Sequence, residues 1–257
     1  MQLTIEDVKR FAKREDFRAG VQMRLLMPRL SVRVTRVLLA YPRIQPNHIT
    51  IVSLLFGLAA GAAFAATTPW LVALGLLAFH LHVLLDYVDG EVARCRQETS
   101  VKGAYFDLMT DRLTFPLAVF CAGLGAWRQL GDPALLIVAF VATFGLFLDK
   151  EAVDCWYRAN SGAAEIEDRY VEAPERTRAR VWRSRLSLLA VMARGLTAFL
   201  TYTVAAAFLD TVVTIPVAGS ARALVLWAFA ALMPLGAFIR FFYVYQRGGI
   251  PRRQQLL

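Results

Sequence analysis

A chain of 257 residues that is 57% hydrophobic, with a mean hydropathy of +0.47, is by composition a polytopic membrane protein and not a soluble domain. Its net charge of +9 does not mark a nucleic-acid binder, because the lysines and arginines follow the connections between apolar segments instead of clustering on a polar domain. Cys95, Cys121 and Cys155 stand isolated, which argues against a disulfide framework or a zinc site, and Glu6, Asp7 and Lys9 occupy the place where a cleavable signal peptide needs its apolar core.

In chain order, residues 1–45 form a basic arm. Within it Phe17 to Tyr41 mixes Val21, Leu25, Leu26, Leu30, Val34, Val37, Leu38 and Leu39 with five arginines, the pattern of an amphipathic helix in the cytoplasmic interface whose basic face attracts anionic lipids. Pro28 is expected to kink or divide it, and Pro42 and Pro46 to separate it from the first span. Apolar stretches near the length of about 20 residues needed to cross a bilayer run from Ile49 to Ala66, Trp70 to Val88, Tyr105 to Trp127, Ala134 to Leu148, Leu186 to Leu209 and Ala223 to Tyr245. The fourth is short unless it continues through Trp156 and Tyr157. A polar, mixed-charge connection lies at about residues 150–185, and 248–257 form a short tail.

Basic residues are retained on the cytoplasmic side. Ten precede the first span, three (Arg94, Arg96, Lys102) join the second to the third, and eight lie between Lys150 and Arg185. The opposite connections carry none, Arg128 alone and Arg222 alone. The expected fold is therefore all-α, with six transmembrane helices over residues 46–247 preceded by an interfacial amphipathic helix and with both termini cytoplasmic.

Four carboxylates sit in or beside these apolar segments, where they are costly and mark function. Asp86, Asp89, Gly90 and Ala93 fall at i, i+3, i+4 and i+7 of one helix, and Gly103, Asp107 and Asp111 at steps of four on the next, so each set shares a face. A connection as short as Cys95 to Lys102 makes the helices antiparallel neighbours and brings all four aspartates to one depth at the cytoplasmic end. Together they stay ionised only if cations hold them. A set of intramembrane salt bridges to Arg94 and Arg112, or simple helix capping, is the plain structural alternative. His82, one turn before Asp86, reads as a hydrogen-bonded core histidine more readily than as a metal ligand.

The spacing D-x2-D-G-x2-A-R-x8-G-x3-D-x3-D resembles the signature of the CDP-alcohol phosphotransferase family at every fixed position, and Pro46-Asn47-His48-Ile49-Thr50 resembles the Pro-Asn-x-x-Thr motif of many members. The resemblance implies a metal-dependent membrane enzyme of phospholipid synthesis, commonly a homodimer, in which a CDP-linked donor such as CDP-diacylglycerol is attacked by a small alcohol and CMP leaves. Carried over residue by residue, Asp86, Asp89 and Asp107 would hold two Mg²⁺ or Mn²⁺ ions, and Asp111 would be the general base and also touch a metal. Gly90, Ala93 and Gly103 would give the nucleotide room, and Asn47, Thr50, Arg94 and Ser100 would contact the CDP moiety. Lys150, Arg176 and Arg194 are candidates for an acceptor that carries a phosphate. Lys150 and Ala173-Pro174-Glu175-Arg176 are similar to stretches of the phosphatidylinositol-phosphate synthases, although Ala173 stands where those usually have an arginine. Residue by residue, positive-inside anchoring explains these arginines as well. A divalent-cation transporter would also place acids in the membrane, but near the midplane between broken helices; a catalytically silent scaffold would not need all four aspartates. The membrane lipids around the protein would be those of the plasma membrane, with the active site facing the cytoplasm.

Overall fold

The computed structural model describes residues 21–161, 196–213 and 219–246, and every regular element among them is helical. In chain order these are α1 (Val21–Leu39), α2 (Pro46–Phe64), α3 (Pro69–Arg96), α4 (Val101–Leu130), α5 (Ala134–Ser161), α6 (Leu196–Leu209) and α7 (Ala221–Gln246).

The helix ends follow local chemistry. Pro46 and Pro69 open α2 and α3 at positions where the missing N–H costs nothing. The backbone N–H of Gln45 donates to His48 Nδ1 at 3.3 Å, fixing the entry to α2. α3 runs without a break through the aspartate motif and stops at Gln97, which takes a left-handed conformation with φ of 57°. Ser100 caps α4, its hydroxyl oxygen accepting the Gly103 N–H at 3.1 Å. α5 continues through Trp156 and Tyr157, so the fourth apolar stretch belongs to a 28-residue helix. Pro28 does not divide α1, which is one continuous helix with Pro28 on its exposed side. The helix is held through that point by the burial of its other face, on Met27, Ser31, Val32 and Thr35. The first half of the expected fifth span lies outside the described residues.

Among the described residues, three helices are long and apolar enough to cross a membrane: α2, α3 and the Ala221–Ile239 part of α7. α4 and α5 have the length, at 30 and 28 residues, but charged residues interrupt their apolar runs: Lys102, Asp107, Asp111 and Arg112 in α4, Asp149, Lys150 and Glu151 in α5.

α2 packs along both α3 and α4, α5 packs on α4 and α7, α6 touches α3 and α7, and α1 lies along α3. Among the described residues the main core cluster runs through the bundle, with Phe64, Phe79, Ala118, Ala139, Phe199 and Leu226 among its buried members, and smaller clusters form around Val32 and around Ile49, Val88 and Val92. Small residues permit the closest approaches, since helices in lipid associate through packing more than through a hydrophobic drive. A Cβ at Gly57 of α2, for example, would run into the Thr114 side chain of α4.

The two arginines on the sparsely charged end, Arg222 inside the bundle and Arg128 at its surface, both reach the end of α2. Arg222 is buried, its Nη1 donating to the Ala66 carbonyl at 3.0 Å and its Nη2 to the Phe64 carbonyl at 3.2 Å, while Arg128 Nη1 donates to the Ala65 carbonyl at 3.2 Å. These carbonyls close the C-terminal end of α2, where helical partners run out. Asp210 completes the cluster by accepting from Ser220 Oγ at 2.7 Å and from Gln129 Nε2 at 3.1 Å.

Candidate active site

At the opposite end of the bundle, α3 finishes and α4 begins. α3 and α4 make few close backbone approaches, and α2 bridges them by packing against both. The gap between them is spanned by side chains, and these are the acidic ones.

Asp86 of α3 and Asp107 of α4 are in hydrogen-bonding contact, and Asp89 and Asp111 lie close enough to act on the charge of Asp86. Asp89 is buried, and its Oδ2 accepts the Thr50 hydroxyl of α2 at 2.5 Å. Thr50, expected beside the nucleotide, thus orients a carboxylate in this structure. Asp111 places Oδ2 at 3.9 Å from Lys150 Nζ of α5, while its Oδ1 is buried with no hydrogen-bond partner among the described residues. Lys150 Nζ lies 3.5 Å above the centre of the Phe115 ring, a cation–π contact that fixes the ammonium beside Asp111. Arg112 faces away from Asp111 along the helix and forms an ion pair with Glu151.

Asn47, Ser100 and Gly103 converge on one rim. A Cβ at Gly103 would lie 3.2 Å from Ser100 Oγ and 3.6 Å from Asn47 Oδ1, so the missing side chain keeps a polar-walled space open. At Gly90 a Cβ would stand 3.0 Å from Arg94 Nη1, which places the guanidinium back over that glycine, one turn along α3 from Asp86. Ala93, half-buried, adds no bulk to the same face. Arg176 and Arg194 lie outside the described residues.

Beneath the aspartates the three helices are tied by His82, which is fully buried. Its Nδ1 meets Ser53 Oγ of α2 at 2.8 Å, its Nε2 meets Thr114 Oγ1 of α4 at 2.9 Å, and Ser53 Oγ donates to the His82 carbonyl at 2.9 Å. Nδ1 also lies 3.1 Å from the Ser53 carbonyl and Thr114 Oγ1 2.9 Å from the Thr110 carbonyl, so each hydroxyl has a backbone acceptor besides the ring and the tautomer is set by which of them turns its proton to the imidazole. His82 is therefore a core histidine bonded on both ring nitrogens.

Five hydrogen bonds made by Glu91 and Arg96 of α3 have no counterpart in the sequence reading. Glu91 accepts hydroxyls from Ser31 and Thr35, each at 2.6 Å. Arg96 donates to the carbonyls of Ile44 at 2.6 Å and of Leu38 and Tyr41 at 3.1 Å. A buried acid in a span was the available signal for Glu91; for Arg96 the partners are backbone atoms, which leave no residue-type trace.

The donor set is made of hard oxygens, as Mg²⁺ and Mn²⁺ require. Among the described residues, no three acidic or histidine side chains already converge on one point at ligand distance. The fit rests on the bare, buried Oδ1 of Asp111 and on the Asp86–Asp107 contact, which two ionised carboxylates keep only with a proton or a cation between them.

Residues 43–245 match the CDP-alcohol phosphatidyltransferase family. The chain is 32% identical over 149 residues to the bifunctional IPC transferase and DIPP synthase of Thermococcus kodakarensis, covering 55% of this chain and 32% of that protein. It is 38% identical over 97 residues to the protein of the same description from Rubrobacter xylanophilus, covering 36% of this chain and 21% of that one. The matched stretch thus spans a third or less of these relatives. Among solved structures, the Mycobacterium tuberculosis phosphatidylinositol phosphate synthase with CDP-DAG bound is similar with a TM-score of 0.58 and 17% identity, covering 87% of this chain and 98% of that one. That likeness is one of fold.

Proposed function

The chain belongs to the CDP-alcohol phosphatidyltransferase family, and on that footing we propose that it transfers a phosphatidyl group from CDP-diacylglycerol, or a related CDP-linked lipid, to the hydroxyl of a small alcohol, releasing CMP. The observation that carries this reading is the contact of Asp86 of α3 with Asp107 of α4, with Asp89 and Asp111 close enough to act on its charge, together with the polar rim formed by Asn47, Ser100 and Gly103.

Asp86, Asp89, Asp107 and Asp111 would hold two divalent ions, Mg²⁺ or Mn²⁺. When bound, these ions supply neutralisation of the diphosphate and stabilisation of the leaving oxygen. The rim residues, with Gly90 and Ala93 clearing the helix face, would seat the cytidine nucleotide, and Arg94 would meet a phosphate oxygen. Thr50 holds Asp89 in place by its hydroxyl. The acceptor oxygen forms a bond to the phosphorus distal to cytidine, the bond from that phosphorus to the CMP oxygen breaks, and the acceptor proton passes to Asp111. Lys150, held beside Asp111, suits an acceptor that already bears a phosphate, such as glycerol phosphate or inositol phosphate, with Arg176 and Arg194 as further partners. The protein would span the plasma membrane six times over residues 46–247, as a homodimer with the site and both termini on the cytoplasmic side.

The test is CMP release by purified protein in nanodiscs with Mg²⁺ or Mn²⁺, using CDP-diacylglycerol and CDP-linked small alcohols as donors against a panel of free and phosphorylated alcohols. One donor and acceptor pair should drive metal-dependent release. Asp111→Asn should lower kcat by about 10²-fold or more while donor binding persists. Metal-independent release, or full activity in Asp111→Asn, would remove Asp111 from its role.

A further inference from the structure

The signature over α3 leaves position 91 free, yet this chain places a carboxylate there and buries it at 4% exposure. Its partners are equally hidden: Ser31 and Thr35, both fully buried and one helical turn apart on α1, donate to Glu91 Oε1 and Oε2 at 2.6 Å each. A carboxylate at this depth is stabilising only when its oxygens are satisfied, and an apolar residue would have packed the two helices at less cost. Glu91 follows Asp89 by two residues, about 200° around the helix, so it grips α1 on the back of the turn whose front carries Asp86 and Asp89.

A second grip lies five residues on, where Arg96 donates to three carbonyls between Leu38 and Ile44, at the end of α1 and the connection to α2. The front of α3 has to stay open for substrate, and α4 makes few close approaches to it. Bracing must therefore come from the other helices, and it does: Thr50 of α2 holds Asp89, Ser31 and Thr35 of α1 hold Glu91, and Arg96 ties α3 to the end of α1 and the connection to α2.

We propose that Glu91 is a positioning residue, which locks α1 onto α3 and thereby keeps Asp86 and Asp89 in register with Asp107 and Asp111. The positioning role rests on the function proposed above; the lock itself does not.

The experiment uses the full chain in nanodiscs with Glu91→Leu, Glu91→Gln and Ser31→Ala, the last removing one donor in case the first does not fold. Hydrogen exchange over Val21–Leu39 reads the lock, Mn²⁺ binding followed by electron paramagnetic resonance reads the site without turnover, and CMP release reads kcat and KM. Glu91→Leu should speed exchange in α1 and weaken Mn²⁺ binding by about tenfold, as loss of an outer support to a metal ligand does. Ser31→Ala should shift both in the same direction by less, and Glu91→Gln should recover most of each because its amide still meets two hydroxyls. Faster exchange with unchanged Mn²⁺ binding overturns the proposal and leaves α1 merely docked, and unchanged exchange overturns the lock. A wild-type protein that neither binds Mn²⁺ nor releases CMP overturns the proposed function and the positioning role with it, while the exchange data still show whether the lock exists.

Discussion

Gly103 shows how one absent side chain can be read as part of a site. It occupies the first turn of α4, where its N–H is already committed to Ser100 Oγ, and the space over its Cα is walled by Ser100 and Asn47. Valine has a helix propensity no worse than glycine, so Gly103→Val should leave the melting temperature within a few degrees of wild type. Its side chain would nevertheless fill the space proposed for the nucleotide, raising KM for the CDP-linked donor by about tenfold, a cost of about 1.4 kcal/mol, with a smaller change in kcat. Steady-state CMP release at varied donor concentration checks it, and an unchanged KM would place the nucleotide elsewhere. His82 is a second case. His82→Phe keeps an aromatic ring between Phe79 and Phe115, which both pack against the imidazole, but removes the bonds to Ser53 and Thr114. We expect a loss of about 2 kcal/mol, seen as a melting temperature lower by roughly 5 °C. A neutral outcome would mean that the ring only fills space.

The elements differ in how far they were legible before the structure. The four aspartates and Gly103 could be placed because helix geometry converts fixed spacings into shared faces, and α3 does run unbroken through that motif. Ser53–His82–Thr114, Thr50–Asp89 and the Glu91 and Arg96 grips could not, because their partners lie 29 to 60 residues away and hydroxyls on an apolar helix leave no periodic mark. α1 was half legible. Its amphipathic character is plain in the sequence, but which residues face inward is decided by Glu91. With Ser31 and Thr35 turned to α3, Arg29, Arg33 and Arg36 stand exposed at i, i+4 and i+7, forming one basic stripe. Each such arginine near an anionic surface contributes about 1 kcal/mol. Protein carried through detergent exchange should therefore retain phosphatidylglycerol over phosphatidylcholine in native mass spectrometry, and the preference should fall when all three arginines are changed to glutamine or when salt is raised. Equal retention in the triple variant would direct the stripe away from the membrane.

For the molecule as a whole, charge and topology make one argument. The cytoplasmic side was assigned from arginine and lysine counts, with Arg128 and Arg222 as the exceptions, and the structure turns both guanidinium groups onto the carbonyls that end α2. Their charge serves a helix end and so competes little with the basic arm and connections for the choice of side. The marginal hydropathy of α4 has a similar cause, since the acids that lower it are the ones that meet those of α3. α4 should therefore cross the membrane although composition alone does not single it out. Single cysteines at Thr67, Glu98 and Asp132, all exposed, flank α3 and α4 at both ends. In a background with Cys95, Cys121 and Cys155 replaced, a membrane-impermeant maleimide applied to intact spheroplasts should label Thr67→Cys and Asp132→Cys, and Glu98→Cys only after permeabilisation. Labelling of Glu98→Cys from outside would reverse the orientation and put the aspartates on the wrong face for a cytoplasmic nucleotide. Labelling of Thr67→Cys without Asp132→Cys would mean that α4 fails to cross, and the pairing of its acids with those of α3 would then need another geometry.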